Sequence, residues 1–238
     1  MFDFSNKVIM VTGAIGQLGV VLTQTFQAAN AKLALIDRGE DRLKKAFPEL
    51  VGVPDYLLVD CADMVDEAAV KEAVNKTINH FEKIDVLVNT VGGFRAGQRL
   101  HETPLETWDM LLNLNARSVF VACQQVIPYM LDQGTGVITN IAARPGLEGR
   151  PGMAAYSASK SAVLRLTESM SAELKDQGIN VNCIIPGTID TPRNREELPE
   201  ADFSTWVTPE SLADVILFLA SSASRDIHGA ALPVYGRS

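Results

Sequence analysis

Three cysteines, three histidines and two tryptophans are all that the 238-residue chain carries of those types. Cys61, Cys123 and Cys183 are odd in number, far apart and without CxxC spacing, which excludes a disulfide framework and reads as reduced, buried thiols. His80, His101 and His228 have no metal-ligand spacing, so no metal is expected. Basic residues are in deficit as well: 21 Lys and Arg against 29 Asp and Glu give a formal charge of −8. Such a surface repels phosphate backbones and argues against nucleic acid as a partner. Long apolar runs are missing. The longest, around Val215 to Ala220, is far short of the ~20 residues that span a bilayer, so no membrane partner is expected. The opening MFDFSNKVIMVTG has no long apolar block before a small-residue cleavage site, so it does not read as a secretory signal, and the expected location is cytoplasmic.

What is present is material for a large core, 47% of residues being hydrophobic. At this length an α/β chain commonly forms one unit, so a single domain over residues 1–238 is expected. Short aliphatic runs alternate with longer helical patterns. Strands are expected at Lys7 to Val11, Lys32 to Asp37, Tyr56 to Asp60, Ile84 to Asn89, Gly136 to Ile141, Ile179 to Ile185 and Ala230 to Val234. Helices are expected at Gln17 to Ala29, Glu40 to Phe47, Asp66 to Glu82, Pro104 to Asn115, Val119 to Asp132, Met153 to Asp176 and Pro209 to Ser221. Continuously apolar strands are covered on both faces, so this is an α/β protein with a doubly wound, Rossmann-type parallel sheet of about seven strands. In such folds ligands bind beyond the carboxyl ends of the strands.

The first of those ends runs Thr12-Gly13-Ala14-Ile15-Gly16-Gln17-Leu18-Gly19. Glycine there permits a tight turn, close approach of backbone N–H groups to a pyrophosphate, and close helix packing. Asp37, 18 residues after Gly19, ends the second strand where an acid would bind ribose hydroxyls and repel a 2′-phosphate. This selects NAD(H), although Arg38 would serve NADP(H) if it turned inward. Further on, Tyr156 and Lys160 are four apart in one helix and share its face. An ammonium beside a phenol stabilises the phenolate, lowers its pKa, and makes the tyrosine a usable acid and base.

With Asp60, Asn89-Thr90-Val91-Gly92, Asn115 and Pro186-Gly187…Thr191 in order as well, the chain resembles the short-chain dehydrogenase/reductases of the compact branch over essentially its whole length. The resemblance implies Tyr156 as acid and base, Lys160 on the nicotinamide ribose, and Asn115 in a proton relay. It also implies Asp60 at the adenine, Asn89 at the adenosine side or within the sheet, and Ile189 and Thr191 at the carboxamide. Gly13, Ile15, Gly16, Gln17, Leu18 and Gly19 would form the pyrophosphate turn. Family members are often dimers or tetramers, and the surplus apolar positions of Val119 to Leu131 and Met153 to Met170 suit a homodimer or homotetramer interface.

Two departures stand out. Gln17 replaces the middle glycine of TGxxxGxG, leaving the TGxxGxxG spacing of the family's extended branch. Ala143 occupies the position, 13 before Tyr156, of the family's catalytic serine, a hydrogen-bond donor to the substrate oxygen. Some dihydropteridine reductases of the family also lack that serine, so such an activity is one alternative and a noncatalytic dinucleotide-binding regulator is another. Six of the 12 arginines, Arg95, Arg99, Arg144, Arg150, Arg193 and Arg195, lie in crevice loops. They suit an anionic substrate such as a carboxylate or a 3-oxoacyl thioester, or else they pair with Glu148, Glu196 and Glu197. Residues 191–206, charged and punctuated by proline, are expected to form a short mobile lid over the substrate.

Overall fold

A computed structural model describes residues 2–237. Seven parallel strands form one sheet: β1 (Val8–Thr12), β2 (Lys32–Asp37), β3 (Tyr56–Asp60), β4 (Val86–Asn89), β5 (Gly136–Ile141), β6 (Ile179–Pro186) and β7 (Ala231–Val234). Their order is β3-β2-β1-β4-β5-β6-β7, so the winding reverses between β1 and β4. That reversal opens a crevice at their carboxyl ends, where ligands bind in doubly wound sheets.

The helices are α1 (Gln17–Ala28), α2 (Glu40–Ala46), α3 (Glu67–Phe81), α4 (Leu105–Leu112), α5 (Ser118–Gln133), α6 (Ala154–Leu174), α7 (Pro192–Glu197) and α8 (Pro209–Ala220). Strand side chains alternate between two cores, as the two-residue period of a strand requires. Met10, Ile36, Leu87 and Ile138 pack with α3, α5 and α6, whereas Ile9, Val11, Leu35 and Val88 pack with α1, α2 and α8. Cys61, Cys123 and Cys183 are buried and unbridged.

Boundaries differ from the sequence expectation by a residue or two, with β1 one place later and β4 two places shorter at its start. The larger difference lies in what was expected as two helices, Pro104 to Asn115 and Val119 to Asp132. They form one continuous rod, α4 passing through a π-helical turn at Asn113–Arg117 directly into α5. β7 is a sheet edge, and it carries Pro233. At the other end of the strands, Asp85 accepts from the Val8 nitrogen and pairs with Lys7 and Lys83 at 2.9 Å each, tying β4 to β1.

Candidate active site

β1 leads through Thr12 into Gly13, whose φ of +72° is left-handed backbone. A Cβ on Gly13 would come within 2.9 Å of Thr90 Oγ1 and 3.0 Å of the Val91 nitrogen, and one on Gly19 within 2.3 Å of the Gly13 carbonyl oxygen. Both residues therefore have to be glycine for β1, β4 and α1 to approach this closely. Gly16 is the N-cap of α1 and offers no side-chain cap, and no acid occupies the first turn of this 12-residue helix. The positive end of α1 thus carries no side-chain cap, which suits a pyrophosphate. Gln17 begins α1 and is exposed, so its longer side chain is accommodated at the surface, while Leu18 points back into the core.

The acids that end β2 and β3 brace this turn and the loop beside it. Asp37 Oδ2 accepts from the Ile15 nitrogen at 3.0 Å and Oδ1 from the Arg38 nitrogen at 2.7 Å, so Ile15's N–H is already engaged. Asp60 Oδ1 accepts from the Gly39 nitrogen at 2.6 Å and fixes the loop that follows Asp37. Asn89 is buried: its Nδ2 donates to Asn140 Oδ1 at 2.9 Å and its Oδ1 accepts from Thr12 Oγ1 at 3.4 Å. Of the two places expected for Asn89, its side chain takes the one inside the sheet.

Beyond β4 the chain passes Gly92 and Gly93, and here three candidate residues come together. Asn115 sits fully buried in the π-helical turn. Its Oδ1 accepts from the Gly93 nitrogen at 2.8 Å, and its Nδ2 donates to the Gly93 oxygen at 3.0 Å and to Ser159 Oγ at 2.9 Å. Ser159 Oγ in turn donates to the Tyr156 carbonyl at 2.8 Å. A Cβ on Gly92 would lie 3.0 Å from Asn115 Oδ1 and 3.5 Å from Lys160 Nζ, so only glycine leaves this wall of the crevice open. The Phe94 ring stands edge-on to the Tyr156 ring, centroids 4.8 Å apart.

Lys160 Nζ donates to the Ile141 carbonyl at the end of β5 at 2.8 Å. Burial lowers this ammonium to about 8. Burial also pushes the Tyr156 phenol up to about 12, which corrects the expectation that the lysine draws it below its ordinary value. With Lys160 turned toward a carbonyl, desolvation is the effect that governs the tyrosine.

Ala143 is buried, in extended backbone two residues beyond the end of β5, where it caps the turn Arg144–Gly146. Within β5, the Thr139 hydroxyl is fully buried with no hydrogen-bond partner among the described residues. Of the crevice arginines, Arg99 opens a single turn at Leu100–Glu102, its backbone nitrogen donating to Glu102 Oε2 at 3.3 Å, and the other five divide into two groups. Arg193 pairs with Glu197 at 2.9 Å, Arg195 binds Asp190 through two bonds of 2.6 and 2.7 Å and lies over the Phe203 ring, and Arg144 lies over the Tyr235 ring. Arg95 and Arg150 are exposed and make no salt bridge among the described residues. Arg95 borders a cavity of about 70 Å³ that reaches Met153, Ala154 and Ala155 just before Tyr156. Over residues 191–206 the chain forms α7 and a further single turn at Phe203–Thr205. Thr191 caps α7 through the Asn194 nitrogen, and the Ile189 carbonyl accepts from Asn194 Nδ2 at 2.8 Å.

Ser159 and Phe94 were not singled out from the sequence. Ser159 had a signal, since it sits inside the Tyr156 to Lys160 motif one turn from Tyr156; Phe94 lies in an irregular loop that carries none.

Residues 7–202 match the short chain dehydrogenase family. A 2-(R)-hydroxypropyl-CoM dehydrogenase of Xanthobacter autotrophicus is 35% identical over 97% of this chain and 98% of its own. A 3-oxoacyl-[acyl-carrier-protein] reductase of Thermotoga maritima is 34% identical over 97% of each. Among solved structures, an NAD+-bound xylitol dehydrogenase superposes with a TM-score of 0.90 at 28% identity, covering 98% of this chain and 99% of its own. ElxO with NADP bound superposes with a TM-score of 0.89 at 27% identity over 97% of each chain.

Proposed function

The chain belongs to the short-chain dehydrogenase family, and from that premise we propose that it is an NAD(H)-dependent oxidoreductase acting on a secondary alcohol or its ketone. The observation that carries the reading is the closure of Asn115, Ser159 and Tyr156 onto the Gly92–Gly93 wall, with Lys160 on the same side. When bound, the nicotinamide dinucleotide supplies or accepts the hydride. Gly13, Gly16, Gln17, Leu18 and Gly19 would hold its pyrophosphate, Asp37 and Asp60 its adenosine end, and Ile189 and Thr191 its carboxamide. Asp37 favours NAD(H) because its carboxylate, fixed by the Ile15 and Arg38 nitrogens, would repel a 2′-phosphate.

Tyr156 gives its phenolic proton to the carbonyl oxygen in reduction and takes the hydroxyl proton in oxidation. A phenol raised by burial holds its proton at neutral pH, where it can donate it to a carbonyl oxygen. Phe94 packs edge-on against its ring. Lys160 and Asn115 hold the geometry, one to β5 and the other to the glycine wall.

For the substrate, Arg95 and Arg150 are the cations that would meet an anionic arm, since Arg193 and Arg195 are already matched by acids. Names of two relatives refer to substrates carried on coenzyme M or an acyl carrier protein, which agrees with a carried, anionic substrate. Self-association would use the α4–α5–α6 face, where Leu112, Ala116, Phe120 and Leu166 line an open apolar groove of about 260 Å³ and Phe120 is 50% exposed. A cytoplasmic location fits a chain in which no helix among the described residues is long and apolar enough to cross a membrane.

A second reading rests on Ala143: a quinonoid pterin is reduced readily and needs less help at one oxygen. The test is NADH oxidation against ketones, 3-oxoacyl thioesters and quinonoid pterin, repeated with Tyr156→Phe. Tyr156-dependent turnover supports the enzyme, and the substrate that gives it separates the two readings. Tight NADH binding with no turnover on any substrate leaves the noncatalytic regulator. If Arg95→Ala and Arg150→Ala leave KM unchanged for anionic and neutral analogues alike, the anionic substrate is excluded.

A further inference from the structure

Ser159 is a residue for which the proton chemistry has no direct use, yet its hydroxyl is fully buried and bonded on both sides. A hydroxyl has one proton and two lone pairs, so the direction of these bonds is fixed. The proton goes to the Tyr156 carbonyl, and a lone pair receives Asn115 Nδ2. Asn115 then has no freedom left. Its Oδ1 and Nδ2 grip both the nitrogen and the oxygen of Gly93, and its remaining amide proton goes to Ser159. The bonds form one chain across three segments that are remote in sequence: the loop after β4, the π-helical turn between α4 and α5, and the first turns of α6.

Two features make the chain specific. Asn115 reaches Gly93 from within the π-helical turn, which departs from the regular α-helix on either side of it. Ser159 stands three residues after Tyr156 and bonds the Tyr156 carbonyl, the backbone of the residue that carries the proton. Local bonds of this kind bend or pin a helix turn.

We propose that Ser159 is a positioning residue, which locks the Asn115 amide between Gly93 and Tyr156 and so sets the distance from the glycine wall to the tyrosine hydroxyl. The proposal rests on Tyr156 being the acid and base of the reaction above. Loss of the hydroxyl frees one amide proton of Asn115, loosens the Gly93 clamp, and lets the wall and the tyrosine drift apart. A small misplacement of reacting groups lowers rate far more than it lowers binding.

The test compares Ser159→Ala, Ser159→Thr and Asn115→Ala in the full-length protein. The first readout needs no turnover: backbone amide exchange at Gly93, whose N–H is held by Asn115, should quicken about tenfold in Ser159→Ala and return toward the original rate in Ser159→Thr. The second is kinetic: Ser159→Ala should lower kcat about tenfold or more with the NADH dissociation constant within about twofold of the parent. The third is the double variant, which should be no slower than Asn115→Ala alone, because both act through one clamp. Unchanged Gly93 exchange, unchanged kcat, or fully additive losses in the double variant would each overturn the proposal. If the parent protein turns over no substrate, the enzyme reading fails by itself, and Gly93 exchange alone decides whether the clamp exists.

Discussion

Lys160 Nζ donates to the carbonyl oxygen of Ile141, 2.8 Å away, so a buried ammonium ties α6 to the last residue of β5. One carbonyl partner compensates little of the hydration lost, and the group is lowered from 10.5 to about 8. Between those two values the unfolded chain binds a proton that the folded protein does not. This group's contribution to stability therefore rises with pH across that window, by at most about 1.4 kcal/mol per unit. Urea unfolding at pH 7.5 and 9.5 should show the parent gaining stability relative to Lys160→Met as pH rises. A constant difference would mean that Lys160 titrates normally.

The Tyr156 phenol, raised to about 12, makes the two reaction directions differ in pH dependence. Alcohol oxidation requires the phenolate, so its kcat/KM should climb steadily from pH 7 toward 9, while ketone reduction stays nearly flat there. Tyr156→Phe should lower kcat in both directions by about 10²- to 10⁴-fold, the usual share of a general acid or base. A plateau in oxidation near neutrality would contradict the raised value.

At position 143 a hydroxyl can be restored without strain, because the backbone is extended with φ of −162°. Ala143→Ser should raise kcat on simple ketones about tenfold, a fraction of what a well-placed oxyanion donor gives. Steady-state rates on an unactivated ketone check this; an unchanged rate in a folded variant means that position 143 does not face the reacting oxygen.

Thr139 Oγ1 is buried without a partner among the described residues. Thr139→Val keeps the shape and removes the unsatisfied hydroxyl, so it should stabilise the protein by about 1 kcal/mol or more. Chemical denaturation reads this directly, and a loss of stability would show that the hydroxyl is satisfied in solution.

Gly19 and Gly149 form a matched pair. A Cβ at Gly19 would strike the Gly13 carbonyl at 2.3 Å, whereas at Gly149 it meets nothing within 4 Å. Gly19→Ala should weaken NADH binding at least about tenfold and destabilise by about 1–3 kcal/mol, with Gly149→Ala neutral on both. Equal effects in fluorescence titration would remove the steric account of the turn.

The strands and the glycine turn were legible because single residues decide them. Runs such as Leu33 to Ile36 are apolar on both faces, and Gly13 and Gly19 admit no side chain. Tyr156 and Lys160 were legible because a spacing of four is a local property of a helix. What was not legible depends on partners far along the chain. The π-helical turn at Asn113–Arg117 is fixed by Asn115 reaching Gly93, 22 residues earlier. In sequence the crevice arginines have Glu148, Glu196 and Glu197 as candidate partners, and folding places Arg195 on Asp190 instead. The phenol's upward shift follows from burial, which no motif spells out.

Pro233 in β7 bears on a different property, the way the molecule meets its neighbours in a crowded solution. The Ala230 and Val234 carbonyls accept from Cys183 and Gly187 on the β6 side, so the residue between Leu232 and Val234 turns its backbone outward. That residue is the proline, and the outer rim of the sheet thus lacks a donor where an incoming strand would need one. Strand-to-strand stacking is thereby disfavoured at this rim.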